Sequence, residues 1–299
     1  MSGDRPLLLD PAELTRLYHE NGSIDPTTVK DFQQQIYAHF HATPRPMPWR
    51  ETHDPYHILV SEIMLQQTQA ERVKAKYAEF LAAFPTVGDL ASAALVDVLR
   101  VWQGLGYNRR AIALKRCAGE ILIRFNGRFP TTVPELESLS GIGPYTARAV
   151  AAFAFGIAEP CIETNIRTVC IHFFFHDRIT VNDREIMPLV AATIDHENPR
   201  IWYYALMDFG VMLKQRYPNP SRRSSHHAKQ SRFEGSNRQL RSSLLRAVMA
   251  HPGISAKELA AQLAAQQRDV ERNLADMESE GFLDQINSRY VVSSGAKKG

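Results

Sequence analysis

Ten stretches between Tyr56 and Leu213 repeat apolar residues at helical spacing, with short connections between them. They run Tyr56–Gln69, Ala70–Phe84, Val87–Ala94, Leu95–Gln103, Arg109–Phe125, Val133–Leu139, Tyr145–Phe155, Asn165–Phe175, Arg184–Ile194 and Pro199–Leu213. Nothing before residue 216 alternates as a half-buried strand does, so this part is predicted to be all-α. Upstream, Met1 to about Thr28 reads as a polar lead-in with a helical patch near Pro11–Tyr18, and Val29–His41 as an amphipathic helix. Pro44, Pro46 and Pro48 then enforce an extended segment ending in Trp49-Arg50.

After residue 240 the pattern changes to three helices, Leu240–Ala250, Ala256–Gln266 and Arg268–Glu280, closed by Gly281 and two short strands within Phe282–Val292. Three helices and a hairpin predict a small winged-helix-like (α+β) domain. In DNA-binding versions its third helix would turn Arg268, Arg272 and Asn273 toward DNA. The acids Asp269, Glu271, Asp276, Glu278 and Glu280 keep a protein-contact or structural role equally open.

With 299 residues, 44% of them hydrophobic, the chain can bury the core of one large domain or two ordinary ones. Its net charge of +3 is mild, so any nucleic-acid contact must come from local patches. One such patch is Lys214–Arg241, which carries Arg216, Arg222, Arg223, Lys229, Arg232 and Arg238 against Glu234. It reads either as a connector lying near phosphates or as a linker charged for solubility. Cys117, Cys161 and Cys170 lack metal-ligand spacing and predict free thiols in a reducing, cytoplasmic setting, with no membrane partner.

Leu139 to Tyr145 reads Leu-Ser-Gly-Ile-Gly-Pro-Tyr between two helical stretches. Gly141 and Gly143 supply a turn that can reach positive φ, and N–H groups there would lie at a helix start, where the dipole favours a phosphate. A lone Gly-x-Gly also marks an ordinary helical corner. Three more constellations give it meaning. Glu62 stands in Ser61-Glu62-Ile63-Met64-Leu65-Gln66-Gln67-Thr68-Gln69, a carboxylate followed by amides. A carboxyl in an apolar helix can protonate a purine leaving group, and Gln66 or Gln67 can fill a duplex whose base has been extruded; the plainer reading of Glu62 is a cap or salt bridge. Gly104-Leu105-Gly106-Tyr107 presents an aromatic that intercalates or packs in the core. Glu163, in Ile162-Glu163-Thr164-Asn165-Ile166-Arg167, is an acid at a helix start, catalytic or a helix N-cap.

Pro48-Trp49-Arg50, Asp54-Pro55-Tyr56, the Glu62 motif, Phe84-Pro85-Thr86-Val87, Trp102 to Tyr107, Gly141 to Ala147 and Ala205 to Gly210 together resemble the adenine DNA glycosylase (MutY) branch of the helix-hairpin-helix (HhH-GPD) superfamily. The resemblance runs in order from Pro48 to about Arg216. It implies a mainly α, two-lobed glycosylase domain at 29–215, with a six-helix barrel at about 60–155 and a second lobe from 29–59 plus 156–215. Around it lie an N-terminal extension (1–28), a basic linker (216–239), the winged-helix-like domain (240–292) and a tail (293–299).

The resemblance further implies that Glu62 is the general acid for an extruded adenine, that Glu163 stabilises the positive sugar, and that Tyr145 and Asn165 assist. Arg50 and Asp208 would lie near the base pocket. Gln66, Gln67, Thr68, Tyr107, Gly141, Gly143 and Thr146 would contact DNA. Tyr145 occupies the position of the Schiff-base lysine of endonuclease III-like relatives, so strong lyase activity is not expected.

Three departures stand out. Glu163 replaces the superfamily's usual aspartate and reaches one methylene further. No cysteine follows Cys170, so the branch's four-cysteine iron–sulfur cluster lacks ligands and the expected cofactor is none, with a monovalent cation at the hairpin as the remaining candidate. The larger domain that reads 8-oxoguanine in the family is replaced by the shorter C-terminal module.

The expected function is a monofunctional DNA glycosylase of base excision repair, acting as a monomer on mismatched or damaged double-stranded DNA in the nucleoid and removing adenine opposite 8-oxoguanine or guanine. The alternatives are a mismatch glycosylase for uracil, thymine or hypoxanthine, and a catalytically weak lesion-binding protein.

Overall fold

The computed structural model describes residues 9–226 and 232–294. The start of the extension (1–8), His227 and Lys229 of the basic stretch, and the tail from residue 295 lie outside the described residues.

Among the described residues the chain forms fifteen α-helices and three short strands. First come α1 (Pro11–Asn21), α2 (Pro26–Ala42), a 3-10 turn (Pro48–Arg50) and α3 (Pro55–Leu65). Next are α4 (Ala70–Ala83), α5 (Val87–Ser92), α6 (Leu95–Trp102) and α7 (Arg109–Phe125). The glycine turn is flanked by α8 (Val133–Glu137) and α9 (Pro144–Phe155), and followed by α10 (Thr164–Phe174), α11 (Asp183–Thr193) and α12 (Pro199–Arg216). The C-terminal part comprises α13 (Asn237–Ala250), β1 (Ile254–Ser255), α14 (Ala256–Gln262), α15 (Gln267–Ser279), β2 (Leu283–Ile286) and β3 (Arg289–Val292). None of the described helices is long and apolar enough to cross a membrane.

The chain divides into two compact units. One comprises Met1–Ile58, Thr131–Glu137 and Ile142–Lys229; the other comprises Leu59–Pro130, Ser138–Gly141 and Gln230–Gly299.

In the first unit α10 packs along α12, with α1 and α2 against them. Ile166, Val169, Cys170, Ile171, Phe173 and Phe174 leave α10 little polar face, which is the composition of a central helix. The lead-in is more ordered than its polarity suggests. Asp10 caps α1 by accepting from the Ala12 N–H, and Leu14 and Thr15 are buried. Thr15 Oγ1 donates to the Phe173 carbonyl at 3.2 Å and accepts from the His176 N–H at 3.1 Å. Helix α2 starts at Pro26, three residues before the expected Val29, because Asp25 accepts from the N–H groups of Thr27 and Thr28.

The basic stretch is also partly built in. Arg223 Nη1 donates to the carbonyls of Phe175, His176 and Arg178, and Nη2 to that of Ile171, so one guanidinium caps the end of α10. Val181 and Ser224 form a parallel bridge beside it.

In the second unit α7 packs against α5 and α6, and Trp102 and Phe80 meet edge to face at 5.8 Å. The C-terminal sheet is antiparallel in the order β1-β3-β2, with Tyr290 opposite both Ile254 and Gln285. Asn287 and Ser288, at φ 50° and 62°, form the tight turn between β2 and β3. Strand β1, two residues long, carries no readable alternation.

One sequence expectation is overturned here. Asn273 does not face outward: it is wholly buried, and Nδ2 donates to Asn237 Oδ1 and the Asp269 carbonyl, both at 2.8 Å. It falls in the same stripe of α15 as Val270, Leu274 and Met277. Arg268 is exposed, and Arg272 pairs with Asp269 on its own helix.

Candidate active site

Glu62 lies inside α3 among Leu59, Val60, Ile63 and Met64, with 6% of its surface exposed. The helix stops at Leu65 rather than Gln69, because Gln67 takes a left-handed backbone (φ 55°), which an α-helix cannot carry. Gln67 is exposed, while Gln66 and Thr68 are half-buried. A second loop repeats this device. Gly104 (φ 94°), Gly106 (φ 72°) and Tyr107 (φ 47°) are all left-handed, and Tyr107 is half-buried. Non-glycine residues pay about 1–2 kcal/mol for that conformation, so both loops need support from outside themselves.

Arg110, which the sequence did not single out, supplies that support. Its Nη1 donates to the carbonyls of Ile63 (2.8 Å), Met64 (2.9 Å) and Gln66 (2.5 Å). Its Nη2 donates to Thr68 Oγ1 (3.0 Å) and to the carbonyls of Leu105 (3.3 Å) and Gly106 (3.1 Å). The guanidinium lies 5.5 Å from the ring centres of both Trp102 and Tyr107. Burial lowers its pKa to about 10, which leaves it charged at neutral pH. One side chain thus takes the last carbonyls of α3 and fixes two loops some forty residues apart in sequence.

In the first unit Glu163 is the N-cap of α10. Its Oε1 accepts from the N–H groups of Asn165 (2.5 Å) and Ile166 (2.8 Å), and its Oε2 from Asn165 Nδ2 (3.2 Å). Lys214 Nζ donates to Asn165 Oδ1 at 2.8 Å, which completes a chain from cation through amide to carboxylate. Desolvation raises the pKa of Glu163, opposed by these N–H groups and by Lys214 and Arg167. Burial lowers that of Lys214. Gly210 permits the approach of α12: a Cβ there would lie 2.4 Å from the Asn165 carbonyl oxygen.

Asp208 is fully buried and bidentate to Arg50, with Nη1–Oδ2 and Nη2–Oδ1 both 2.8 Å, and Arg45 Nη1 donates to Oδ1 at 2.7 Å. Arg50 also lies 4.6 Å over the Tyr204 ring. Breaking such a buried pair costs about 3–5 kcal/mol, so Asp208 and Arg50 fasten the segment before α3 to α12 whatever else they do. Arg200, also missed, reinforces this joint by donating to the carbonyls of Arg50 (2.9 Å), Thr52 (2.6 Å) and Phe153.

At the hairpin, Gly141 is required twice over: its φ is 78°, and a Cβ would sit 2.5 Å from that of Ala113. Gly143 departs from expectation, with extended backbone (φ −91°) as the N-cap of α9, which opens on Pro144 without a side-chain cap. Tyr145 is half-buried one residue into α9, and Thr146 is buried at 3% exposure, so its side chain belongs to the packed face of that helix.

Among the described residues no group of three or more His, Cys, Asp or Glu side chains could hold a metal. A four-thiolate cluster does not fit this chain. It has three cysteines in all, and the stretch after α12 holds Ser221, Arg223 and Ser224 in its place.

A deep carboxyl, two supported loops and a glycine turn opening a helix point to one class of protein, and comparison with known proteins agrees. Residues 60–189 match the family described as HhH-GPD superfamily base excision DNA repair protein. The chain is 31% identical over 192 residues to the thymine/uracil-DNA glycosylase of Pyrobaculum aerophilum, covering 62% of this chain and 83% of that one. The solved structure of a thermostable thymine-DNA glycosylase matches with a TM-score of 0.55 at 26% identity, over 62% of this chain and 86% of that chain. The chain therefore belongs to the HhH-GPD superfamily of base excision DNA repair proteins. Within it the similarity is MutY-like: 44% identity over 183 residues to the adenine DNA glycosylase of Mycobacterium tuberculosis, covering 60% of each chain. The chain thus spans less than two thirds of that relative's length.

Proposed function

We propose that the chain is a monofunctional DNA N-glycosylase that extrudes a mispaired base, adenine first, and hydrolyses its N-glycosidic bond. The observation that carries this reading is the placement of Glu62 in the last turns of α3, directly before the loop that presents Gln67. A carboxyl sheltered in an apolar helix is suited to protonate a purine leaving group. Gln67 and Tyr107, in supported left-handed loops, are suited to fill the space that a flipped base leaves.

In this reading Glu62 gives its proton to the departing base and then orients water. Glu163 opposes the positive charge that develops on the sugar, with Asn165 and Lys214 holding the carboxylate in place. Tyr145 offers no amine, so the abasic product is released without strand cleavage through a Schiff base. The glycine turn and the start of α9 hold the phosphate backbone. No iron–sulfur cluster takes part. The protein acts as a monomer on double-stranded DNA.

Two observations support narrower alternatives. Coverage of 83% of a thymine/uracil-DNA glycosylase favours a pyrimidine at a mismatch as the second substrate class. The engagement of both Glu163 oxygens by the α10 cap favours slow turnover. Single-turnover cleavage of duplexes bearing A:8-oxoG, A:G, U:G, T:G and hypoxanthine pairs separates these readings, with the adenine pairs expected to react fastest. Tight binding of all five with cleavage of none would leave a lesion-binding protein instead.

A further inference from the structure

We propose that the C-terminal module sets the DNA-probing tyrosine, with Arg238 as a positioning residue that orients Tyr107 for entry at a mismatch; this rests on the reading of Tyr107 as a wedge. Arg238, in the first turn of α13, donates through Nη1 to the Tyr107 hydroxyl at 2.9 Å, and its guanidinium lies 5.8 Å from the ring centre. Arg110 approaches the same ring at 5.5 Å. The wedge is thus gripped at its polar tip by one element and against its ring by another, on a backbone that is itself left-handed.

The module is registered on this loop by further contacts. Glu280, just past α15, accepts from Arg109 Nε at 2.8 Å and from Arg241 Nη2 at 2.5 Å. Gly281 adopts φ 82°, and a Cβ there would come within 2.8 Å of Arg116 Nη2. Arg109 and Arg116 both belong to α7, the helix that follows the Tyr107 loop. All of these contacts fall within one unit, so the module meets the loop and helix that carry the wedge.

The physical gain is preorganisation. A side chain that must enter a base step loses rotamer freedom when it does so, and a charge-assisted hydrogen bond made in advance removes part of that cost. A loosened Tyr107 would still meet the DNA surface but would insert less often, so mismatched DNA would lose more affinity than matched DNA.

The test uses the full chain, a duplex with a central A:G pair flanked by 2-aminopurine, and its matched counterpart. For Arg238→Ala the ratio of mismatched to matched affinity is expected to fall roughly fivefold, the scale of one charged hydrogen bond with its cation–π contact, and the 2-aminopurine signal should fall with it. Tyr107→Phe should act alike, the double variant should lose no more than either single one, and Arg238→Lys should recover most of the ratio. An unchanged ratio, or losses that simply add, overturns the proposal. So does an equal loss on both duplexes with a decrease of about 0.9 in the salt slope, which would make Arg238 a phosphate contact. A wild-type chain that cleaves nothing would sink the glycosylase reading while leaving this ratio to decide Arg238; one without mismatch preference would sink the wedge.

Discussion

The two candidate acids, one in each unit, are sheltered in different ways. Glu62 is buried in the last turns of an apolar helix, whereas Glu163 stands at a helix start and is engaged by N–H groups. The N–H groups and dipole of a helix N-terminus favour a carboxylate that has lost its proton. The proposed function gives the two carboxyls different jobs, donating a proton in one place and opposing a positive charge in the other. The direction of the Glu163 shift shows the contest at the second place: desolvation outweighs the amides and the two cations.

The strongest challenge to this contrast is Glu62→Gln. Without its proton donor the single-turnover rate should fall about 10³-fold, with mismatch affinity within about twofold of wild type. Near-normal cleavage would remove Glu62 from its role. Next comes Arg110→Ala, which takes one donor group away from six acceptors, in the last turn of α3 and in two strained loops, and should destabilise the fold by about 3 kcal/mol in denaturant titrations. Arg110→Lys should rescue little, because an ammonium cannot fork across both loops. A full rescue would show that charge alone matters there. A smaller loss, about 1–3 kcal/mol, is expected for Gly210→Ala, whose methyl must displace Asn165 and with it the Glu163 cap. Helix propensity alone would make this variant more stable by up to about 1 kcal/mol, so a rise in stability would refute the close packing.

The finest comparison is Glu163→Gln, read as a difference in melting temperature against pH. A folded-state pKa above the unfolded value of about 4.3 means that folding holds the proton more tightly. The charge therefore costs wild-type stability as pH rises from the unfolded pKa to the folded one. Below that window the cost is absent. The glutamine variant should accordingly gain on wild type as pH rises through the window, while its cleavage rate falls. A flat or declining difference would mean that amides and cations win over desolvation.

Helical class, the glycine turn and the amide motif after Glu62 were legible in the sequence because each rests on local rules of periodicity, capping and turn geometry. The buried place of Asn273 was legible too, since it is three residues from Val270 and four from Met277, yet its residue type suggested a surface. Arg110 and Arg223 were not legible. Each binds carbonyls on distant loops, and main-chain acceptors leave no mark in the residue types around them. Gly143 was overread, because an extended glycine and a left-handed one are the same letter.

The contact between α1 and α10 has a consequence for synthesis. Thr15 and its partner Phe173 are 158 residues apart. At about 5–20 residues per second, α1 would leave the ribosome roughly ten to thirty seconds before the helix it packs on exists. A helix made early in the described chain thus waits for its partner, and until then its apolar face is available to a chaperone.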